Sequence, residues 1–208
     1  MDAIITWLLE AWQQTSGWEL IAVLFAILYI IFAMRESILC WPSALVSTGI
    51  YTVLFFNVNL WMESALQVYY IIMAFYGWYA WRHHTDSKED LAISVWSFRQ
   101  HIMAISAILV ITSVSAWLLK NTSADYPWLD SFTTWSAVLT TWMVARKVLE
   151  NWLYWIVINS ISIYLYLNKG LYVTSLLFGL YIILSISGYQ IWKKHFLEEH
   201  VSRDALNS

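Results

Sequence analysis

Seven long apolar runs, at approximately residues 18–34, 38–56, 61–81, 99–119, 128–145, 151–167 and 171–192, leave this 208-residue chain little room for anything else. A bilayer core about 30 Å thick takes roughly 20 apolar residues per helix, so each run is a candidate span. Connections such as Arg35–Ser37, Asn57–Leu60 and Asn168–Gly170 are too short for anything but antiparallel neighbours. Only Arg82–Ser97 (RHHTDSKEDLAISVWS) reads as a linker. Charged residues make up 12% of the chain, against roughly 25% in a soluble domain. A cytosolic enzyme, a nucleic-acid binder (the net charge is −3) and a disordered tail are thereby excluded. The expected fold class is an all-α polytopic membrane protein.

Residues 1–17 are too short to span and are interrupted by Glu10, Gln13 and Gln14. Trp7, Leu8, Ala11 and Trp12 fall at helical spacing, the pattern of a segment lying in the membrane interface. No basic residue precedes the first apolar stretch, which argues against a cleaved signal peptide. Orientation follows from the basic residues. Arg35, Arg82, Lys88, Arg99, Arg146, Lys147, Lys193, Lys194 and Arg203 share one side, and only Lys120 and Lys169 fall on the other. By the positive-inside rule the N-terminus lies outside and the C-terminus inside.

The chain also matches itself at a constant offset of 111. Arg35 pairs with Arg146, Trp41 with Trp152, Asn57 with Asn168, Leu60 with Leu171 and Ser64 with Ser175. Tyr70 then pairs with Tyr181, Gly77 with Gly188, Trp81 with Trp192 and His84 with His195. Helices 1–3 therefore repeat as helices 5–7, and helix 4 flips the second copy so that the repeats run parallel. Such a 3+1+3 plan is that of small parallel-repeat transporters such as the SWEETs, with substrate near the midplane between the halves. The expected organisation is an interfacial segment (1–17), a first triplet (18–81), a linker with the inverting helix (82–127), a second triplet (128–192) and a cytoplasmic tail (193–208).

Polar side chains at membrane depth must find a partner or face a cavity. On helix 6, Trp155, Asn159, Ser162 and Tyr166 recur at i, i+4, i+7 and i+11, which is one helical face. The Asn159 amide supplies two donors and an acceptor, suited either to a neutral polar ligand group or to an interhelical hydrogen bond. The equivalent face of helix 2 carries Ala44, Thr48, Tyr51 and Phe55. Helix 3 presents Gln67, Tyr70, Ala74, Gly77 and Trp81, with Phe178, Tyr181, Ser185, Gly188 and Trp192 as counterparts on helix 7. The candidate substrate-binding set is Thr48, Tyr51, Gln67, Tyr70, Trp155, Asn159, Ser162 and Tyr181. Gly77 and Gly188 read as sites of close helix approach. Thr133, Ser136 and Thr140 on helix 5 form a weaker stripe, since hydroxyls can bond their own helix.

No Asp, Lys or Arg lies deep in a span, whereas ion-coupled carriers place ionisable groups along the pathway. Simple uniport is the expectation. All five histidines lie at or beyond the inner ends of the spans, and the single Cys40 leaves no Cys/His metal spacing. No GxxxxGK[ST] loop occurs, and no nucleophile–base set is assembled, so neither catalysis nor a cofactor or metal is expected.

Two stretches are characteristic: ALQVYYIIMAFYGWYAW (65–81) and ARKVLENWLYWIVINSISIYLYLNKGLY (145–172). They resemble the PnuC vitamin transporters of bacterial inner membranes, and the resemblance runs from about residue 18 to 194. It implies a full-length SWEET-like fold in the opposite membrane orientation. It also implies facilitated uptake of nicotinamide riboside, or of thiamine or riboflavin in related members, with trapping by a cytoplasmic vitamin kinase. On this chain the family's substrate-contacting amides and aromatics fall at Gln67, Trp155 and Asn159. Helix 2 departs from the nicotinamide riboside pattern, with Ser47 and Thr48 where an amide is usual, which bears on the ligand rather than the family. The family further implies a homotrimer, which no residue pattern here establishes.

Nicotinamide riboside and thiamine are both flat aromatic cations carrying hydroxyls. Rings can hold such a cation by cation–π attraction of about 0.5–2 kcal/mol, with no buried carboxylate. Nicotinamide riboside is the first expectation and thiamine the alternative. A sugar uniporter and a non-transporting membrane subunit are more remote readings.

Overall fold

The computed structural model describes residues 17–57, 61–85, 91–120, 126–168 and 172–207. The interfacial segment expected at 1–17, the Leu60/Leu171 pair, and Lys88 and Lys169 of the charge count lie outside them, apart from Gly17. Seven helices occur among the described residues: α1 (Gly17–Met34), α2 (Cys40–Asn57), α3 (Trp61–Thr85), α4 (Phe98–Leu119), α5 (Pro127–Ala145), α6 (Asn151–Asn168) and α7 (Tyr172–Asn207). These agree with the seven expected runs to within a few residues at most ends. Gly17–Met34, Phe98–Leu119 and the Ser175–Val201 part of α7 are long and apolar enough to cross a membrane by length and composition alone. The Thr- and Ser-rich α5 and Asn-bearing α6 dilute their apolar runs with polar side chains.

Two ends differ from expectation. Helix α3 continues to Thr85, and α7 runs unbroken to Asn207, so residues 193–207 extend a helix rather than form a separate tail. An exposed i,i+4 pair, Lys194–Glu198 at 3.7 Å, sits on that extension. The chain divides into two compact units, Met1–Arg82 and His83–Ser208.

In the first unit α1 packs along α2. Ser47 Oγ donates to the Ala22 carbonyl at 2.9 Å, a buried link between these helices. Helix α3 is tied on by Ser64 Oγ, which donates to the Thr52 carbonyl at 3.0 Å, and by rings. Trp41 meets Trp81 edge-to-face at 5.2 Å and 82°, and both are buried. Gly77 lies directly against the Trp41 ring, leaving no room for a Cβ.

In the second unit α4 packs on α5, α5 on α6 and α6 on α7. The same ring contact recurs 111 residues on: Trp152 meets Trp192 at 5.4 Å and 89°, and Gly188 lies against the Trp152 ring. The linker segment before α4 is not featureless. Ser94 pairs with the α5–α6 turn as an isolated parallel bridge, donating to the Lys147 carbonyl (3.0 Å) and accepting from the Leu149 N–H (2.8 Å). Helix α4 then starts at Ser97, whose N–H and hydroxyl both donate to Gln100 Oε1.

The turns after α1 and α5 are built alike. Ser37 N–H bonds to the Phe32 carbonyl and Glu36 N–H to that of Ala33; Val148 bonds to Met143 and Lys147 to Val144 in the same way. This is the six-to-one and five-to-two pairing of a Schellman motif. It needs a left-handed residue, filled here not by glycine but by Glu36 (φ 52°) and Lys147 (φ 49°). A left-handed L-residue costs about 1–2 kcal/mol. Glu36→Gly and Lys147→Gly are each expected to stabilise the detergent-solubilised protein by about 1 kcal/mol, read as a raised Tm.

Candidate functional site

Thr48, Tyr51, Gln67 and Tyr70 belong to the first unit, and Trp155, Asn159, Ser162 and Tyr181 to the second. Many hydroxyls on the described helices serve their own helix. Thr133, Thr140, Thr141, Ser160, Ser185 and Ser187 each donate to a carbonyl three or four residues earlier. Thr48 does the same, its Oγ1 reaching the Ala44 carbonyl at 2.7 Å. Its hydroxyl proton is thus already committed, which makes Thr48 a weaker candidate than its position implied. Tyr51 is half-buried on α2.

Asn159 behaves differently. It is 4% exposed, and its amide makes no hydrogen bond to any described residue. Ser162, one turn on and also buried, likewise forms none, although a back-bond to its own helix is the usual outcome. A polar group at membrane depth ordinarily finds a partner, in the protein or in a cavity's contents. Trp155, one turn before Asn159, is half-buried. In the first unit Gln67 is half-buried and its amide too has no partner among the described residues. Tyr70 packs edge-on to Tyr69 at 5.7 Å.

The α6–α7 seam adds rings that sequence reasoning noted only as counterparts. Phe178, at the position matching Gln67, stacks on Tyr166 at 5.1 Å and 26° and meets Tyr181 edge-on at 5.7 Å. Tyr181 is therefore held by its neighbours on α6 and α7 rather than standing alone. Ser136 of α5 was read as part of a weak stripe. Its Oγ is fully buried without a partner, unlike Thr133 and Thr140 on either side. Only the surrounding geometry distinguishes it, since the three residues look alike in sequence.

The family profile described as nicotinamide mononucleotide transporter matches residues 16–194. That is most of the chain. It belongs to this family, the PnuC family. Nicotinamide riboside transporter PnuC of Escherichia coli K12 is 24% identical over 200 residues, covering 84% of each chain. The Neisseria mucosa protein of the same name is 25% identical, covering 84% of this chain and 71% of that one. The riboflavin/roseoflavin transporter RibM of Streptomyces davaonensis is 21% identical over 84% of this chain and 83% of its own. The crystal structure of the vitamin B3 transporter PnuC superposes with a TM-score of 0.72 at 23% identity, covering 93% of this chain and 88% of that one. Its fold is the fold of this PnuC-family member. The chain is a multi-pass membrane protein and a vitamin transporter, not an enzyme.

Proposed function

We propose that the protein takes up nicotinamide riboside across a bacterial inner membrane by uniport, with the N-terminus outside and the C-terminus inside. The observation that carries this reading is the buried, unpartnered Asn159 amide one turn from Trp155. An amide reads a carboxamide in both directions, donating to its oxygen and accepting from its nitrogen. Within the second unit, Trp155 supplies a ring face for the pyridinium and Ser162 a hydroxyl for the ribose. The names of the Escherichia coli and Neisseria mucosa relatives support the choice of substrate.

The two triplets of the 3+1+3 plan, each held by its Trp–Gly contact, move as bodies during alternating access. A cytoplasmic kinase phosphorylates the vitamin and keeps it inside. Because the site uses rings and amides rather than a carboxylate, binding is of moderate strength and release does not require a proton or ion. Likeness to the riboflavin/roseoflavin transporter supports one second reading, riboflavin uptake. Purified protein in liposomes loaded with nicotinamide riboside kinase and ATP is expected to accumulate labelled nicotinamide riboside. Parallel vesicles with thiamine or riboflavin and their kinases should not accumulate label. Accumulation of either of those vitamins, with none of nicotinamide riboside, would overturn the assignment.

A further inference from the structure

Where α4 begins, four side chains meet that the two halves do not share. Glu150 closes the α5–α6 turn and caps the start of α6, its carbonyl accepting from the Leu153 and Tyr154 N–H groups. Its carboxylate reaches the other way. Oε2 accepts the backbone N–H of Trp96 at 3.2 Å, and Oε1 lies 3.8 Å from His101 Nε2. The second imidazole nitrogen, Nδ1, meets the Tyr154 hydroxyl at 3.0 Å, and the two rings stack at 5.9 Å and 23°. Trp96 covers the cluster, with centroids 5.5 Å from His101 and 6.1 Å from Trp142. Its strand neighbour Ser94 is already bonded to the same turn.

The matching positions in the first triplet show that packing alone does not demand this arrangement. At an offset of 111, Glu150 corresponds to Leu39, which is half exposed, and Tyr154 to Ser43, whose hydroxyl bonds back to the Leu39 carbonyl. The second triplet replaces both, and does so on the helix carrying Trp155 and Asn159.

We propose that Glu150 is a positioning residue for substrate: through His101 and Tyr154 it fastens the first turn of α6 to the base of α4, fixing where Trp155 and Asn159 stand. The imidazole bridges the two: one ring nitrogen faces the carboxylate, and the other shares a hydrogen bond with the Tyr154 hydroxyl, which can donate or accept. The other charges on the surrounding elements are Arg99 of α4, which is exposed, and Arg146 and Lys147 of the turn; residues 91–97 carry none. Among the described residues, Glu150 is the acid within ion-pair distance of His101.

The inference rests on the proposed uptake of nicotinamide riboside. In proteoliposomes, His101→Gln is expected to raise KM for uptake several-fold with Vmax little changed. Glu150→Gln, which can still accept the Trp96 N–H, should lose less than Glu150→Ala. Glu150→Ala should raise KM about tenfold, the size expected for one lost charged hydrogen bond. An unchanged KM in Glu150→Ala, or a fall in Vmax with no rise in KM, would overturn the proposal. Should no tested vitamin be transported, the uptake reading fails by itself. Hydrogen exchange of residues 94–97 and 151–155 in the ligand-free protein then decides the clasp. Faster exchange there in Glu150→Ala and His101→Gln than in wild type supports it, and equal exchange in all three refutes it.

Discussion

Asn159→Thr is expected to make the protein more stable and a much poorer transporter at the same time. Thr48, the counterpart of Asn159 in the first triplet, sends its hydroxyl to the carbonyl four residues earlier. A threonine at 159 can do likewise to Trp155, so the substitution removes an unpaired amide and adds a self-satisfied hydroxyl. Exchanging the unpartnered amide for a self-satisfied hydroxyl is expected to contribute up to about 1 kcal/mol to stability. Loss of two amide hydrogen bonds to a carboxamide should weaken binding by about 2 kcal/mol, or roughly thirtyfold. Thermal unfolding in detergent and titration with nicotinamide riboside measure the two effects separately. The signs are what matter. If Asn159 were a packing residue bonded to a neighbouring helix, Tm would fall and affinity would follow it only through loss of fold. A lower Tm with unchanged binding would remove Asn159 from the site.

Gly188→Ala carries the second large effect, on folding. A Cβ at 188 would lie 2.7 Å from three atoms of the Trp152 ring. That ring cannot retreat, because Trp152 and its edge-on partner Trp192 are both buried, the latter completely. Overpacking of this kind costs about 3 kcal/mol, and in a chain of this size that is roughly 10 °C in Tm. Gly77→Ala should be at least as harmful, since Trp41 sits still closer to it. Gly49→Ala and Gly179→Ala provide the contrast, with nothing within 4 Å of either added Cβ. Both should be neutral or gain up to about 1 kcal/mol of helix propensity. If Gly188→Ala unfolds no earlier than Gly179→Ala, the Trp–Gly contact is not what holds α7 to α6. A double variant, Gly188→Ala with Trp152→Phe, should lose less than the two single losses together, because the smaller ring vacates the space the methyl needs.

The helices were legible because apolar runs of membrane length announce themselves, and because positions 111 apart kept the same Trp, Gly and Arg. Gly77 and Gly188 could be read as sites of close approach, but not what approaches them. That partner is a Trp one helix away and more than thirty residues distant along the chain. The polar face of α6 was visible as a spacing, yet spacing cannot say whether an amide is satisfied. Thr48 and Asn159 occupy equivalent positions, and only the structure shows one hydroxyl spent on its own helix and one amide left open. Glu150 does not stand out in the sequence because it lies at a helix end, where a carboxylate is ordinary. Its partners, Trp96 and His101, sit in and just after a stretch that reads as a solvated linker. Charge and low hydropathy there concealed a bridge to Val148.

The 36 residues of α7 form a rod of roughly 54 Å at 1.5 Å per residue, whereas the bilayer with its headgroups measures about 40–45 Å. From Trp192 to Asn207 the rod projects on the order of 20 Å past the ring that pins it to α6. A stiff lever anchored at its inner end magnifies any tilt of the triplet at its tip. A fluorophore placed near residue 201 would therefore report small rotations of the second triplet as displacements large enough to follow in single molecules.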